Sequence, residues 1–237
     1  MPAFFSPRTL TFLRALKRNN DRDWFKARKE EYEANVRGPM VALIEQLSAD
    51  AHRFAPEMVF SPRESLFRIY RDTRFSEDKS PLKTHIAASF PSRSLPKSRG
   101  AGLYIQVAPD GAWAGGGIYG PEKDELFQIR EHLSGNHKRF RSIVESPRFK
   151  KQLGGLQGEQ LQRVPRGFAA DHPAADFLKF KQLYAGRDFT TAETTGPRFY
   201  ASLVTLYTDL MPLITFLNEP LVANGRKTLA ATHRSRS

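Results

Sequence analysis

Between residues 63 and 83 the chain concentrates six basic side chains, Arg63, Arg68, Arg71, Arg74, Lys79 and Lys83, against four acidic ones, Glu64, Asp72, Glu77 and Asp78. A guanidinium keeps its charge at any pH a protein meets, and its planar fork matches the oxygens of a carboxylate or a phosphate. Cations in excess over acids make this segment a candidate anion receptor. In that reading Arg68, Arg71, Arg74 and Lys83 contact a phosphorylated or carboxylated ligand, Asp72 orients the guanidinium groups, and Tyr70 adds a hydroxyl. Asp78 and Lys79 complete the candidate ligand-binding set. Asp78 or Tyr70 could take part in acid or base chemistry. A carboxylate among several cations is, however, a strong acid and a poor base near neutral pH. The sequence therefore assigns no catalytic residue and leaves open whether the protein is an enzyme.

If residues 66–72 are extended, Arg68, Tyr70 and Asp72 share one face while Phe67, Ile69 and Arg71 share the other. One arginine then points toward apolar neighbours, and its desolvation must be offset by a carboxylate or a ligand anion. Asp72 and Asp78 are the obvious partners within the protein. An internal Arg-Asp network that pins the loop after a strand is thus the structural alternative to a ligand site.

The order of these residues resembles a family of conserved hypothetical proteins found in bacteria and fungi, a domain of unknown function. Its motif has the form R-x-x-R-D-x-R-F followed by D-K-x-x-Y. The matching positions are Arg68, Arg71, Asp72, Arg74, Phe75, Asp78 and Lys79, with Leu82 where the pattern has tyrosine. The likeness extends from NNDRDWFKARKEEYE through GGGIYGP to PRGFAADHPAADFLKFKQLY and PLITFLN. It implies a shared fold and a shared site, with no activity to transfer, and it makes a hydroxyl at position 82 dispensable here.

Other residues are candidates for a supporting shell. Arg22 and Trp24 follow Asn19, Asn20 and Asp21, a group suited to capping free helix amides; in a functional reading they close over the ligand. Tyr104 is a stacking candidate. Lys179 and Lys181 alternate with Phe177, Phe180 and Tyr184, and either is a candidate anion contact. Gly115, Gly116 and Gly117 lead from a strand toward a helix but match neither phosphate-loop spacing, and Glu122, Asp124 and Glu125 would repel a phosphate there. Close strand packing, with room for a neighbouring aromatic ring or a ligand, accounts better for the glycines. His85 and His172 form no metal-binding pair, no GxSxG elbow is present, and no metal site is assigned. The cofactor is left unassigned.

The net charge of +12 favours anionic partners, but Arg226, Lys227, Arg234 and Arg236 lie in the last segment, and about +8 remains without them. That remainder suits an anionic small molecule or nucleic acid. Arg93, Lys97 and Arg99 in a polar loop add to the nucleic-acid alternative, although no known nucleic-acid motif accompanies them. The absence of cysteine excludes disulfides, thiolate catalysis and sulfur-ligated zinc. No apolar run of spanning length and no leader pattern stand out, so the expectation is a cytoplasmic protein with no membrane association and an unassigned oligomeric state.

The elements that must position the candidate site read as an α+β arrangement. Ser6 and Pro7 open a helix with Leu10, Leu13 and Leu16 on one face, a second helix carries Trp24 to Tyr32, and Gly38-Pro39 starts a third bearing Met40, Ile44, Leu47 and Ala51. Extended runs follow: MVFS, ESLFRIYRD, KTHIAASF, GAGLYIQVAPDG and AWAGGGIYG, the last two joined as a hairpin through Pro109, Asp110 and Gly111. Helices return over 122–133 and 138–144. A looser region leads to a helix over 173–184, and a final helix begins after Pro197, with a kink at Pro212. The expectation is a largely antiparallel central sheet with N-terminal and C-terminal helices packed against it, forming one domain over 1–223. Residues 224–237 are expected to form a basic, disordered tail.

Overall fold

Pro7 stands at the first helical position, where its missing N–H costs nothing, and the Thr9 hydroxyl accepts from the Ser6 N–H at 3.2 Å. These signals start α1 (Pro7–Arg18), whose Leu10, Phe12, Leu13 and Leu16 are buried. The structure, a computed structural model, describes residues 3–74 and 76–234, with side chains through residue 224. Phe75 of the sequence motif lies outside the described residues.

Asp21 caps α2 (Arg22–Lys26) by accepting from the Asp23 and Trp24 amides, both at 2.9 Å. The expected second helix is interrupted: α3 (Lys29–Tyr32) runs through a wider π-type turn at Glu33–Arg37 directly into α4 (Gly38–Phe54). Gly38 and Pro39 therefore do not break the chain. A side chain at Gly38 would press on the Glu33 carbonyl at 2.8 Å, and Pro39 is tolerated in the first turn. Met40, Ile44, Leu47 and Ala51 are buried, as their spacing predicts.

After α5 (Pro62–Ser65) come the strands β1 (Ile86–Phe90), β2 (Gly102–Ala108) and β3 (Gly111–Ile118). Leu103, Ile105 and Val107 are buried while Tyr104 and Gln106 are half-buried, the alternation expected of a sheet with one face in the core. Gly111 takes a φ of +135° at the hairpin turn, where a side chain would also meet the Phe189 carbonyl at 2.1 Å.

The helices α6 (Lys123–Gly135), α7 (His137–Val144) and α8 (Pro147–Leu153) follow, and α8 falls in the stretch expected to be loose. The expected helix over 173–184 is replaced by a single turn, α9 (Ala175–Leu178), and a fourth strand, β4 (Leu183–Phe189). Phe177, Phe180 and Tyr184 mimic helical spacing, but after α9 the chain turns and pairs with 157–161, through the Gln160–Phe180 and Gln157–Tyr184 bridges. Thr190 caps α10 (Thr191–Thr194), and α11 (Phe199–Arg234) is the last element.

The four strands form one antiparallel sheet in the order β1-β2-β3-β4, flanked in sequence by helices at both ends. The α+β class expected from the sequence is what the chain adopts. Pro212 and Pro220 both lie inside α11. Its Phe199–Asn224 portion is long and apolar enough to cross a membrane by length and composition, which the sequence reading did not anticipate. Half of that window is buried within the protein, as in a core helix. The tail expected at 224–237 falls outside the described residues in its side chains from 225 on and wholly in 235–237.

Two compact units are distinguishable. The first comprises Met1–Phe90, Tyr104–Ala114 and Arg187–Thr205; the second comprises Pro91–Leu103, Gly115–Gly186 and Leu206–Ser237. In the first, Phe199 meets Phe5 and Phe189 edge to face, and Phe60 stacks near Phe90 with centroids 4.5 Å apart. The second has its own aromatic core, where Phe140 lies 5.1 Å from Phe177 and 5.0 Å from Phe216. There, a side chain at Gly117 would meet the Leu183 carbonyl at 2.3 Å and Tyr184 Cα at 2.5 Å, and one at Gly116 would meet Ile214 of α11 at 3.0 Å. The glycine run is thus a close-packing device.

Candidate functional site

The candidate segment belongs to the first unit. The strand expected over 66–72 is not regular. Pro62 opens the short α5 in place of the first part of the run, and residues 66–70 then pair with 82–88 only through antiparallel bridges of Leu66 with Ala88 and Tyr70 with Leu82. Phe67 N–H donates to the Ala87 carbonyl at 3.0 Å, Lys83 N–H to Ile69 at 2.8 Å, and Arg71 N–H to Pro81 at 3.0 Å. Pro81 has no N–H to return, so the ladder stops there and residues 72–80 leave it as a loop. The expected alternation survives in part: Ile69 is buried and Arg68 is exposed, but Phe67 is 43% exposed.

Two of the arginines hold the loop. Arg71, whose side chain is 26% exposed, pairs with Asp78 and donates to the Ser76 hydroxyl at 3.3 Å. Hydrogen bonds from Ser80, and then from Arg71, hold the Asp78 carboxyl well below the usual carboxylate range. Arg74 grips Asp72 with both Nε and Nη2, at 3.0 and 2.7 Å, and this fork lowers the Asp72 pKa. Lys79 donates to the Thr73 carbonyl at 3.1 Å, closing the turn from the other side. Each of these contacts is local, so the Arg-Asp network of the structural alternative exists for Arg71 and Arg74.

Arg68 and Lys83 are placed differently. Among the described residues neither forms an ion pair with a carboxylate within 4 Å. The Lys83 ammonium sits 5.0 Å from the centre of the Phe67 ring, and its pKa is lowered first by burial and then by the nearby Arg68 charge. His85 joins them; burial and then Lys83 push its pKa below the ordinary value, which leaves the imidazole neutral at pH 7. The Arg68 charge also helps to lower the Asp72 pKa, but Lys83, disfavoured by burial and by a like charge, is a cation that gains from an added anion.

Beside these cations runs a row of aromatic rings. Phe67 lies 6.3 Å from Tyr104 in β2, and Tyr104 lies 5.9 Å from Trp113 in β3. Both sheet residues are half-buried, and the Tyr104 hydroxyl donates to Gln106 at 3.0 Å. Tyr70, 50% exposed, packs edge to face on Phe25 instead. Sequence reasoning named Tyr104 but not Phe67, His85 or Trp113 as site residues. The strand parity of 83 and 85, and of 104 against 113 across the hairpin, is the signal that would have gathered them.

The helix junction also contributes, through a residue other than those expected. Asn20 donates from Nδ2 to the Leu82 carbonyl at 2.9 Å and accepts from the Leu82 N–H at 3.0 Å, so its amide acts as a one-residue strand partner at the end of the loop. Trp24 packs against Phe12 and lies under the Arg28 guanidinium, 4.6 Å from the ring centre. Arg22 is exposed on α2. Leu82 itself is fully buried, so this position serves packing.

Lys179 and Lys181 belong to the second unit. Lys181 pairs with Glu159 at 3.1 Å, and the Lys179 carbonyl accepts from Leu161. In the same unit Ser134 and His172 come within 2.9 Å. The Ala174 N–H donates to His172 Nδ1 at 3.0 Å, so Nε2 carries the proton and donates to the serine, the opposite of what nucleophile activation needs. Among the described residues no group of three His, Asp or Glu side chains is placed to hold a metal ion.

Residues 8–216 match the model of a family described as conserved hypothetical protein (DUF2461). The chain belongs to this family. No curated protein matches it.

Proposed function

We propose that the protein binds a phosphorylated or carboxylated small molecule through Arg68 and Lys83, with the Arg71–Asp78 and Arg74–Asp72 pairs shaping the loop beside them. The observation that carries this reading is the pair of neighbouring cations that no carboxylate bridges, set against the exposed ring of Phe67. A bound dianion would accept from both side chains and relieve their mutual repulsion, and charge-assisted hydrogen bonds of this kind are worth about 1.5–3 kcal/mol each. If the protein is an enzyme, proton transfer falls to His85, because Asp72 is held in the ionised form by Arg74 and Asp78 by Ser80 and then Arg71.

A thermal-shift series with inorganic phosphate, phosphate monoesters and carboxylates tests the reading. Saturable stabilisation by one class is expected, lost in Arg68→Gln and in Lys83→Gln while both variants keep the parent fold by circular dichroism. No response to any anion would refute it.

Nucleic-acid binding is a second reading, favoured by the exposed Phe67 ring, which offers a face for a base. It draws less support from the polar loop, because Arg99 is engaged by Asp124 at 2.6 Å and by Glu125 at 3.1 Å. Steep loss of oligonucleotide binding with salt, without saturation by any small anion, would select this alternative.

A further inference from the structure

We infer that α6 carries a separate oxyanion site, in which the Arg130 guanidinium and the Ser134 hydroxyl together receive a ligand carboxylate. It belongs to the second unit and does not rest on the site at Arg68 and Lys83. Arg130 is half-buried, and among the described residues its side chain forms no ion pair. Its hydrogen bond, from Nη2 to the Phe180 carbonyl at 2.9 Å, is to a neutral group. Nε is sealed from water without a partner, and among the described residues Nη1 also has no acceptor. Burial lowers the Arg130 pKa with no opposite charge to counter it, yet a guanidinium keeps its charge. A desolvated, uncompensated cation gains from an added anion.

Ser134 follows one helical turn later on the same face of α6. The Ala174 N–H donates to His172 Nδ1 at 3.0 Å, so the ring's Nε2–H donates to Ser134 Oγ at 2.9 Å. The hydroxyl's own hydrogen is thereby turned away from the histidine, and among the described residues no acceptor receives it. Both donors are fixed before a ligand arrives, the guanidinium by the Phe180 carbonyl and the hydroxyl by His172, so little ordering remains for binding to impose. The charges of the adjoining segment cancel among themselves: Asp176 is held by Arg141 and Glu159 by Lys181, each at 3.1 Å. The site therefore offers one uncompensated positive charge. A carboxylate matches that charge, whereas a phosphate dianion would leave a negative charge unmet.

The test follows the Arg130 Nε–H resonance of the isotope-labelled full chain, assigned through bonds from its own backbone, as sodium acetate replaces sodium chloride at constant ionic strength and neutral pH. Shielding from water slows exchange of that proton, which makes it a reporter inside the site. A saturable shift is expected. The affinity is expected to fall about three- to ten-fold in Ser134→Ala, or in Ser134→Cys should alanine lose the parent circular dichroism. It is expected to stay unchanged in the Arg68→Gln, Lys83→Gln double variant, which separates this site from the other. A resonance that does not move, a drift without saturation, or an affinity indifferent to Ser134 would overturn the inference. Tighter binding of inorganic phosphate than of acetate at the same resonance would overturn the assignment to a carboxylate.

Discussion

Replacing Asn20 tests how the end of the loop, next to the paired segment that bears Lys83, is held. Asn20→Ala removes two hydrogen bonds, at 2.9 and 3.0 Å, and leaves both the N–H and the carbonyl of Leu82 without their partner in a part-buried place. A lost hydrogen bond costs about 0.5–1.5 kcal/mol, and a buried group left unsatisfied about 1–3. The expected loss is therefore about 2–4 kcal/mol, read as a shift of the urea midpoint at unchanged slope. Amide exchange at Leu82 and Lys83 should accelerate, and anion binding should weaken with it. Asn20→Asp sharpens the argument. A carboxylate still accepts from the Leu82 N–H but repels the carbonyl, whereas the protonated carboxyl can both accept and donate. The introduced group's folded pKa is thus raised above its unfolded value of about 3.9. Its stabilising contribution is fully present below that unfolded value and is lost as the pH rises through the folded pKa. A loss under about 0.5 kcal/mol in Asn20→Ala, or a pH-independent deficit in Asn20→Asp, would show that the amide is not what secures the loop.

Gly117→Ala should be among the most damaging single-methyl changes in the chain, because φ is +135° and the new carbon would lie 2.3 Å from the Leu183 carbonyl; a loss above about 3 kcal/mol is expected by chemical denaturation, and a neutral result would mean β3 and β4 can separate locally. The depressed pKa of Asp78 stabilises the fold above the unfolded carboxylate value of about 3.9, and that contribution is lost as pH falls through the folded value. An NMR titration should find the Asp78 midpoint well below 3.9, and both Ser80→Ala and Arg71→Gln should raise it; an ordinary midpoint would remove Asp78 as the latch of the loop.

The α+β class was legible because the cues for it are local. Proline and serine at the start of α1, the Pro109-Asp110-Gly111 turn and the alternation in β2 each act over a few residues. The misreadings share the opposite cause. Residues 179–184 contain apolar spacing that fits a helix, and pairing with 157–161 takes them out of one. Residues 66–72 have strand composition, yet their pairing depends on where Pro81 cuts the ladder, a fact that belongs to the partner segment. The same limit applies to the candidate site. Its charged residues were visible as a run, but His85, Trp113 and Asn20 join it through register and a contact 62 residues away in sequence.

The division of labour among the cations follows from chain geometry. A guanidinium within a few residues of a carboxylate on a tight loop is captured by it, because closing so short a loop costs little entropy. Arg74 lies two residues from Asp72, and Arg71 lies seven from Asp78 across the turn that Ser80 also ties, so both are consumed locally. Arg68 and Lys83 stand outside the loop on the two paired segments, where the nearest acids are already engaged. The segment thus reads as two nested parts: an inner set of Arg71, Asp72, Arg74 and Asp78 that gives the loop its shape, and an outer pair, Arg68 and Lys83, to which we assign the proposed ligand. Swapping charges within the inner set, as in Arg74→Asp with Asp72→Arg, should preserve the loop. Inverting Lys83 should leave the loop intact and abolish anion binding, and only that asymmetry distinguishes a site from a network.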